Sequence, residues 1–402
     1  MLALSQRAVG MPASPIRRLA PLAAAAVRAG KRVHHLNIGQ PDIPAPPQLL
    51  ERLRSFGLPN VPYGPSEGLP EFIEAIRRYH AGCGLELEPG EIFVTTGGSE
   101  ALLFVLAAIA DPGDEVLVFE PFYTNYSGFA RLVGVATVPV TTGPGDGYHL
   151  PPASAIEARL TPRTRAILLC SPNNPTGTVY SDEELERVGA LCRKRGLFLV
   201  SDEVYREFVY DGLVHRSALT LRGLEEQVVL TDSLSKRVSL CGARVGWIVS
   251  RNRRLMEAVL RFGQARLCPP TLGQHIGIGF ADVPASYMTS VVSEYQRRRD
   301  LVHGALAAIP GVTVRRPEGA FYMCARLPVD DAQRFAEFLL RDFALDGETT
   351  MIAPADGFYA TPGLGRAEAR LAYVLDMERL SRAMDIVTAA LAVYPGRGGS
   401  ER

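Results

Sequence analysis

No uninterrupted apolar run in this 402-residue chain approaches the roughly 18 to 20 residues that a membrane-spanning helix requires. A net charge is also lacking, because 43 lysine and arginine residues balance 43 aspartate and glutamate residues. No overall field therefore draws the chain to nucleic acid or to an anionic membrane surface. We predict a small molecule as the partner, with no nucleic acid and no membrane.

Cysteine is scarce as well. Six cysteines stand singly, without a C-x-x-C pair or a histidine at metal-ligand spacing: Cys83, Cys170, Cys192, Cys241, Cys268 and Cys324. This scatter predicts reduced, mostly buried thiols and no metal site. The opening residues MLALSQRAVGMPAS lack the extended apolar core of a secretory signal. This absence and the absence of a membrane-spanning run predict a cytoplasmic location.

Short β-branched runs alternate with helical stretches from Glu91 onward. The runs are EIFVTT, EVLVFE, VATVPV, RAILLC, LFLVSD, VVLTDS and VGWIVS. Near-continuous apolar strands separated by helices are typical of a mostly parallel sheet that is buried on both faces. We predict an α/β fold with a large domain (residues 45–284) around this seven-stranded sheet. A smaller α+β domain would come from both chain ends, namely the N-terminal helix and arm (residues 1–44) and residues 285–402.

The N-terminal region carries a helix signal followed by a short strand. Ser14 as the N-cap and Pro15 as the first helical residue predict a helix that runs through LAPLAAAAVRAG to Gly30, with Pro21 as a candidate kink. The segment HHLNIGQPD then predicts a strand that ends in a turn. Two adjacent histidines on a strand face opposite sides, which disfavours a shared metal.

Lys236 stands at the centre of the most informative segment, SLSKRVSLCGARVGW. The segment follows an apolar strand, and a lysine buried there is costly unless it reacts or pairs. A lysine that forms a Schiff base fits this position, whereas the alternative is an ordinary lysine in a solvated loop. The rest of the sequence has to decide between the two.

The segment resembles the S-x-S-K-x(7)-R signature of fold-type I pyridoxal-phosphate (PLP) enzymes, specifically the class I and II aminotransferases of the aspartate and aromatic type. The resemblance covers the chain from Ser14 to about Leu391, with the other motifs in the family's order. It implies that Lys236 holds PLP covalently and acts as the catalytic base. It also implies that Ser233 and Arg244 bind the cofactor phosphate and that Ser235 belongs to the cofactor-binding residues.

Four further motifs carry the resemblance. TTGGSEAL offers free N–H groups and a positive dipole end at a helix N-terminus, which suits a phosphate but also an unliganded capping turn. PFYTNY, SPNNPTG and SDEVYREF each follow a predicted strand. The resemblance assigns cofactor contacts to Gly98, Ser99 and Glu100, with Glu100 acting through its backbone, and to Tyr123, Asn174, Asp202 and Tyr205. Asp202 would pair with the protonated ring nitrogen, while the role of Tyr126 stays open.

Substrate and subunit contacts follow from the same resemblance. Gly39 in LNIGQPD would let the backbone approach the substrate carboxylate, which Asn174 and Arg370 would bind. An arginine suits a carboxylate because it binds bidentately, although an exposed strand-edge arginine is the plainer alternative. Tyr63 in YGPSEG would reach the phosphate of a neighbouring subunit, which predicts a homodimer with active sites at the subunit interface.

These residues predict a PLP-dependent aminotransferase that moves an α-amino group from an amino acid to a 2-oxo acid by a ping-pong mechanism. The alternative is a PLP-dependent lyase or cyclase, because the same scaffold supports elimination and ring closure. A PLP-sensing regulator would carry a basic helix-turn-helix segment, which the sequence lacks. Substrate choice stays open. Gly263 stands where related aspartate enzymes place an arginine, and Arg266 is either its substitute or a surface residue.

Overall fold

The computed structural model describes residues 2–57 and 59–398. Met1, Leu58 and residues 399–402, which the predicted domain ranges include, lie outside the described residues. Within them the strands are β1 (Arg32–His35), β2 (Ile92–Thr95), β3 (Glu115–Glu120), β4 (Ala136–Thr141), β5 (Thr164–Cys170), β6 (Phe198–Asp202), β7 (Val228–Ser233), β8 (Gly246–Val249), β9 (Thr313–Val314), β10 (Tyr322–Arg326), β11 (Glu348–Met351), β12 (Ala353–Pro354) and β13 (Glu368–Ala372).

The helices fall between and around these strands. In the described residues they are α1 (Gln6–Val9), α2 (Ala20–Arg28), α3 (Pro47–Arg54), α4 (Pro70–Gly82), α5 (Gly97–Ile109), α6 (Asn125–Val133), α7 (Ala153–Glu157), α8 (Asp182–Arg195), α9 (Leu234–Arg237), α10 (Arg253–Arg266), α11 (Thr271–Ile278), α12 (Ala285–Ala307), α13 (Ala332–Arg341) and α14 (Met377–Val393). Strands and helices alternate from β2 to β6 and again from β7 to β8, as the sequence predicts, whereas no α-helix lies between β6 and β7 in the described part of the chain.

The central sheet contains the seven predicted strands in the order β2-β8-β7-β6-β5-β3-β4. All neighbouring pairs are parallel except those of β8, which is antiparallel to both β2 and β7. Every residue of β3 and β7 is buried, as expected for strands covered by helices on both faces. Because six strands point one way, their carboxyl ends share one edge of the sheet.

Two smaller sheets combine both ends of the chain. β1 pairs in parallel with β11, so the N-terminal strand joins the C-terminal region. A four-stranded antiparallel sheet has the order β12-β13-β10-β9. The predicted fold class, a large α/β unit with a smaller α+β region from both chain ends, is confirmed. The domain boundaries at residues 44 and 284 stay predictions.

The predicted N-terminal helix is wrong in its start. Residues 15–19 form turns in which Ser14 O accepts the N–H groups of Arg17 and Arg18 at 3.1 and 3.0 Å, and α2 begins only at Ala20. Pro21 lies in the first turn of α2, where a missing N–H costs no hydrogen bond. The helix therefore begins beside Pro21, so Pro21 does not kink it. Residues 15–19 precede the helix as a separate turn.

Candidate active site

A cavity of about 480 Å³ lies at the edge where the carboxyl ends of the parallel strands meet. Ligands of α/β sheets bind at this edge, because loops that follow neighbouring strands converge there. Twelve of the residues predicted from the sequence line the cavity: Gly39, Gly98, Ser99, Tyr123, Asn174, Asp202, Tyr205, Ser233, Ser235, Lys236, Arg244 and Arg370. The structure brings them together, whereas Glu100 and Tyr63 do not line the cavity.

Lys236 projects from α9, a single helical turn directly after β7. Ser233 caps this turn: its Oγ accepts the N–H of Ser235 at 2.9 Å and donates to Ser235 Oγ at 2.6 Å. Lys236 Nζ donates to the carbonyl oxygen of Gly39 at 2.8 Å. In the described residues no carboxylate lies within 4.0 Å of Lys236 Nζ, so the amine is not tied up in an ion pair.

Asp202 ends β6 with a buried carboxylate. Tyr126 Oη donates to Asp202 Oδ2 at 2.7 Å, and the Val204 N–H donates to Oδ1 at 3.4 Å. Burial raises the pKa of Asp202 to about 6, and the hydrogen bond from Tyr126 opposes that rise. Among the described residues, no cationic side chain pairs with Asp202 within 4.0 Å. A protonated ring nitrogen is the kind of group that would compensate this charge. Tyr126, whose role the sequence left open, holds the Asp202 carboxylate through its hydrogen bond.

Arg244 and the start of α5 form a donor-rich end of the cavity. Gly97 has a φ of +73°, and a Cβ there would come within 2.5 Å of Arg244 Nη2, so only glycine fits. Arg244 Nη2 donates to the carbonyl oxygen of Thr96 at 3.4 Å, which holds the guanidinium beside the helix start. The first-turn residues Gly98 and Ser99 line the same cavity. Helix N–H groups, hydroxyls and a guanidinium are a donor set that suits a phosphate dianion.

Arg370 lies in β13 and is 1% exposed, which excludes the exposed strand-edge alternative. Its Nη1 donates to Asn174 Oδ1 at 3.1 Å, and its Nη2 donates to the carbonyl oxygen of Asn37. Its Nε is buried without a hydrogen-bond partner among the described residues. Burial lowers the pKa of Arg370, and no described carboxylate lies within 4.0 Å. A buried guanidinium in this state is suited to bind a carboxylate that enters the cavity.

Tyrosines complete the walls of the cavity. Tyr123 accepts a hydrogen bond from Asn125 Nδ2 at 2.8 Å, and burial raises the pKa of Tyr123 to about 12. Tyr205 Oη lies 2.9 Å from Tyr322 Oη, and burial raises the pKa of Tyr205. Tyr322, in the segment EGAFYMCARL, was not among the predicted residues. A Cβ on Gly39 would come within 1.8 Å of Tyr322 Oη, so Gly39 is required where the two segments meet.

Glu100 points away from the cavity and pairs with Arg266. Glu100 Oε2 accepts the N–H of Thr96 at 2.7 Å and lies 2.8 Å from Arg266 Nη1. Arg266 Nη2 donates to the carbonyl oxygen of Ser66 at 3.1 Å. Gly263 leaves no room for a side chain, because a Cβ there would come within 2.3 Å of Phe93. Arg266 is therefore held within its own chain.

Tyr63 and the N-terminal turn are the remaining contributors. Tyr63 is 81% exposed, so within one chain its side chain contacts little. The turn before α2 adds lining residues that the sequence reasoning missed: Ser14, Ile16 and Arg17. Pro21 was the sequence signal that could have revealed this turn. It suits a first helical turn as well as Pro15 does, and a helix that begins beside Pro21 leaves the preceding residues outside the helix.

Known proteins resemble the chain along nearly its whole length. The family model "Aminotransferase class I and II" matches residues 31–382. The aspartate aminotransferase of Thermotoga maritima is 32% identical over 385 residues, which cover 95% of this chain and 97% of that relative. The aspartate/prephenate aminotransferase of Thermus thermophilus is 31% identical over 392 residues, covering 96% and 98%. A solved alanine aminotransferase from Pyrococcus furiosus has a TM-score of 0.88 at 29% identity, covering 96% and 99%.

The chain belongs to the class I and II aminotransferase family. It is an enzyme of the EC 2.6.1 class, which transfers amino groups between amino acids and 2-oxo acids. Members of this family depend in general on PLP. No match favours the lyase or cyclase alternative. Within the described residues, no helix combines the length and apolarity needed to cross a membrane.

Proposed function

We propose that the cavity binds PLP on Lys236 and uses it to exchange the amino group of an α-amino acid with a 2-oxo acid. The observation that carries this proposal is that two buried ionisable side chains have no ion-pair partner in the described part of the chain. Asp202 and Arg370 both face the cavity without an ion-pair partner among the described residues, and Lys236 lies in the same cavity. A cationic ring nitrogen and a substrate carboxylate would satisfy one charge each.

The residues present fit each part of the cofactor. The first-turn N–H groups of α5, the serine hydroxyls and Arg244 would hold the phosphate, and Asp202 would hold the ring nitrogen. Tyr123 would face the ring, while Asn174 and Tyr205 would bond its 3-oxygen. These roles are proposals, and they rest on the shared cavity and on the donor chemistry of its residues: Gly98, Ser99, Ser233, Ser235, Arg244, Tyr123, Asn174, Tyr205 and Asp202.

The chain's own residues then position the substrate and move its proton. Bound PLP supplies an aldehyde that takes up the amino group and a ring that withdraws electrons from the substrate α-carbon. Arg370 and Asn174 hold the α-carboxylate, which fixes the α-carbon within reach of Lys236. Lys236 Nζ, once free, would remove the α-proton and hold it as general base and then as general acid. Release of the first 2-oxo acid before the second one binds makes the reaction ping-pong.

Side-chain selection does not use Arg266, because Glu100 and the Ser66 carbonyl already hold its guanidinium. The relatives are named for aspartate, prephenate and alanine, so their names do not agree on one substrate. We therefore propose the α-amino acid class through Arg370 and leave the side chain open.

A homodimer is part of the proposal. The side chains of Val61, Tyr63 and Leu267 are 53%, 81% and 52% exposed, as expected for a surface that a second copy covers. Mixing Tyr63→Phe protein with Lys236→Ala protein tests this, because a shared site would give hybrid dimers with one intact site. Sedimentation as a monomer would contradict it. The cytoplasmic location stays a prediction.

Borohydride trapping tests the cofactor proposal. The chain has only three lysines, Lys31, Lys194 and Lys236. Lys31 is bonded to backbone carbonyls, and Lys194 is paired with Glu157. Reduction of the PLP-loaded protein should fix the cofactor mass on the Lys236 peptide, and Lys31→Arg and Lys194→Arg should leave this result unchanged. Covalent cofactor retained in Lys236→Ala would contradict the assignment.

A further inference from the structure

A buried ion pair brackets the turn that carries Lys236. Asp232 stands one residue before Ser233, and Arg237 stands one residue after Lys236. Both side chains are fully buried, and neither residue lines the cavity. The pair therefore lies behind α9, and it has no contact with substrate or cofactor in the proposed mechanism.

The ion pair connects the two ends of the turn. Arg237 Nη2 lies 2.6 Å from Asp232 Oδ1 and 2.5 Å from Oδ2. Asp232 Oδ1 also accepts the backbone N–H of Ser233 at 2.6 Å. One carboxylate thus joins the first backbone group of the turn to the side chain that ends it.

A second anchor connects this pair to the segment that carries Asp202. Arg237 Nη1 lies 3.4 Å from Glu207 Oε1, and Glu207 follows Asp202 by five residues. Arg237 also packs over the Tyr79 ring, 4.4 Å from its centroid, and the Tyr79 hydroxyl donates to Glu207. Lys236 and Asp202 are therefore held relative to one another from outside the cavity.

Stability alone is a weak reason for this arrangement. Two fully buried charges cost desolvation energy that their attraction often only offsets, and apolar residues of the same volume would serve as well. A four-residue helix also cannot fix its own geometry. We propose that Asp232 and Arg237 are positioning residues for Lys236, which hold α9 so that Nζ stays in reach of the substrate α-carbon. This inference rests on the proposed function.

The test uses two variants of the pair, Arg237→Lys and the double variant Asp232→Asn with Arg237→Gln. The first keeps the charge but loses the second guanidinium nitrogen, Nη1, which lies beside Glu207, and the second removes both charges while retaining hydrogen-bonding groups. In the cofactor-free protein, the reductive methylation of Lys236 by formaldehyde and cyanoborohydride is followed against time by peptide mass. Lys31 and Lys194 serve as internal references. We expect the profile of Lys236 to shift while those of the two references do not.

The holoenzyme supplies the second readout. Since a misplacement of about 1 Å can cost about 100-fold in rate, we expect kcat to fall by about 10-fold or more with KM changed less than about twofold. The control is Asp211→Asn with Arg299→Gln, because Arg299 is also buried and lies 2.6 and 3.0 Å from Asp211. It should lower Tm and leave both readouts unchanged.

The possible results distinguish the inference from the proposed function. A lower Tm with an unchanged Lys236 profile and unchanged kcat in both pair variants would overturn the inference. If the double variant does not fold, Arg237→Lys gives the same two readouts. Failure of the wild-type protein to form a reducible PLP adduct would instead contradict the proposed function, while the methylation profile would still report on the pair.

Discussion

Arg370 and Arg237 are buried to the same degree but differ in what they meet. Each is 1% exposed, and each guanidinium lies within 5 Å of an aromatic ring centroid, that of Tyr322 or Tyr79. Among the described residues, Arg237 lies beside the carboxylates of Asp232 and Glu207, whereas Arg370 hydrogen-bonds only to an amide oxygen and a carbonyl oxygen. The difference separates a guanidinium that is paired inside the fold from one that is suited to bind a carboxylate ligand.

The physical basis is the cost of burying a charge. An unpaired buried cation is expensive, and burial accordingly lowers the pKa of Arg370. The cost is compensated only when a carboxylate enters the cavity. Arg237 has its compensation built in, so its removal affects the folded state first.

The largest effect on folding is expected from Arg237→Ala. The change leaves Asp232 buried and unpaired, which costs about 3–5 kcal/mol of unfolding free energy. Arg370→Ala should cost much less, because it removes a charge that has no ionic partner. Chemical denaturation of both cofactor-free variants measures the difference. Equal losses would erase the distinction between the two arginines.

Arg370→Ala should have the largest effect on catalysis. Loss of the bidentate carboxylate contact removes about 3 kcal/mol of binding, or roughly 100-fold in KM for α-amino acids. The loss should be the same for every side-chain class, since the α-carboxylate is common to all of them. Steady-state kinetics with an apolar, an acidic and an aromatic donor check this. A loss confined to one donor would make Arg370 a side-chain contact.

Asp202→Asn should change how stability depends on pH. The pKa of Asp202 is about 6, above its ordinary value of 3.8, so the folded cofactor-free protein holds a proton that the unfolded chain releases. Stability from this group is full below pH 4 and is lost as the pH rises through 6. The variant should match the wild type near pH 4 and exceed it by about 1–3 kcal/mol at pH 7.5.

Thermal unfolding with and without PLP measures this prediction. Added PLP should reverse the order at pH 7.5, because only the carboxylate pairs with a cationic ring nitrogen. A difference between the two proteins that does not vary with pH would show that Asp202 is not the titrating group.

Glu100→Gln should have the smallest effect. Both side chains of the Glu100–Arg266 pair are partly exposed, at 15% and 16%, so its loss should cost about 1 kcal/mol or less. The relative kcat/KM values across donors should stay unchanged, because Arg266 is absent from the cavity. Arg266→Gln is the matching control. A changed donor preference in either variant would place Arg266 in substrate selection.

The sequence predicted the seven strands of the large sheet, because strands such as β3 and β7 are buried on both faces and appear in the sequence as near-continuous apolar runs. It also predicted twelve residues that line the cavity, because the motifs that carry them resemble those of a known family. Tyr322 escaped prediction because its place depends on β10 meeting Gly39 across nearly the whole chain. No local pattern reports a contact of that kind.

The sequence also could not show which charged residues form ion pairs. Arg237 and Arg370 look alike in sequence, and only the folded chain brings Asp232 and Glu207 to the first of them. The start of α2 was misjudged for a local reason: Pro15 and Pro21 both suit a first helical turn. In the structure, Ser14 O accepts the N–H groups of Arg17 and Arg18 in a turn, and the helix begins at Ala20, beside Pro21, and not at Pro15.

A single-turnover reaction tests the central claim most directly. The PLP-loaded protein is mixed, without an acceptor, with a panel of α-amino acids and with the matching amines that lack the carboxylate, and the products are identified by mass. The account predicts one equivalent each of pyridoxamine phosphate and 2-oxo acid from the amino acids and far slower conversion of the amines. Product formed without pyridoxamine phosphate, or equal rates for amines and amino acids, would contradict it.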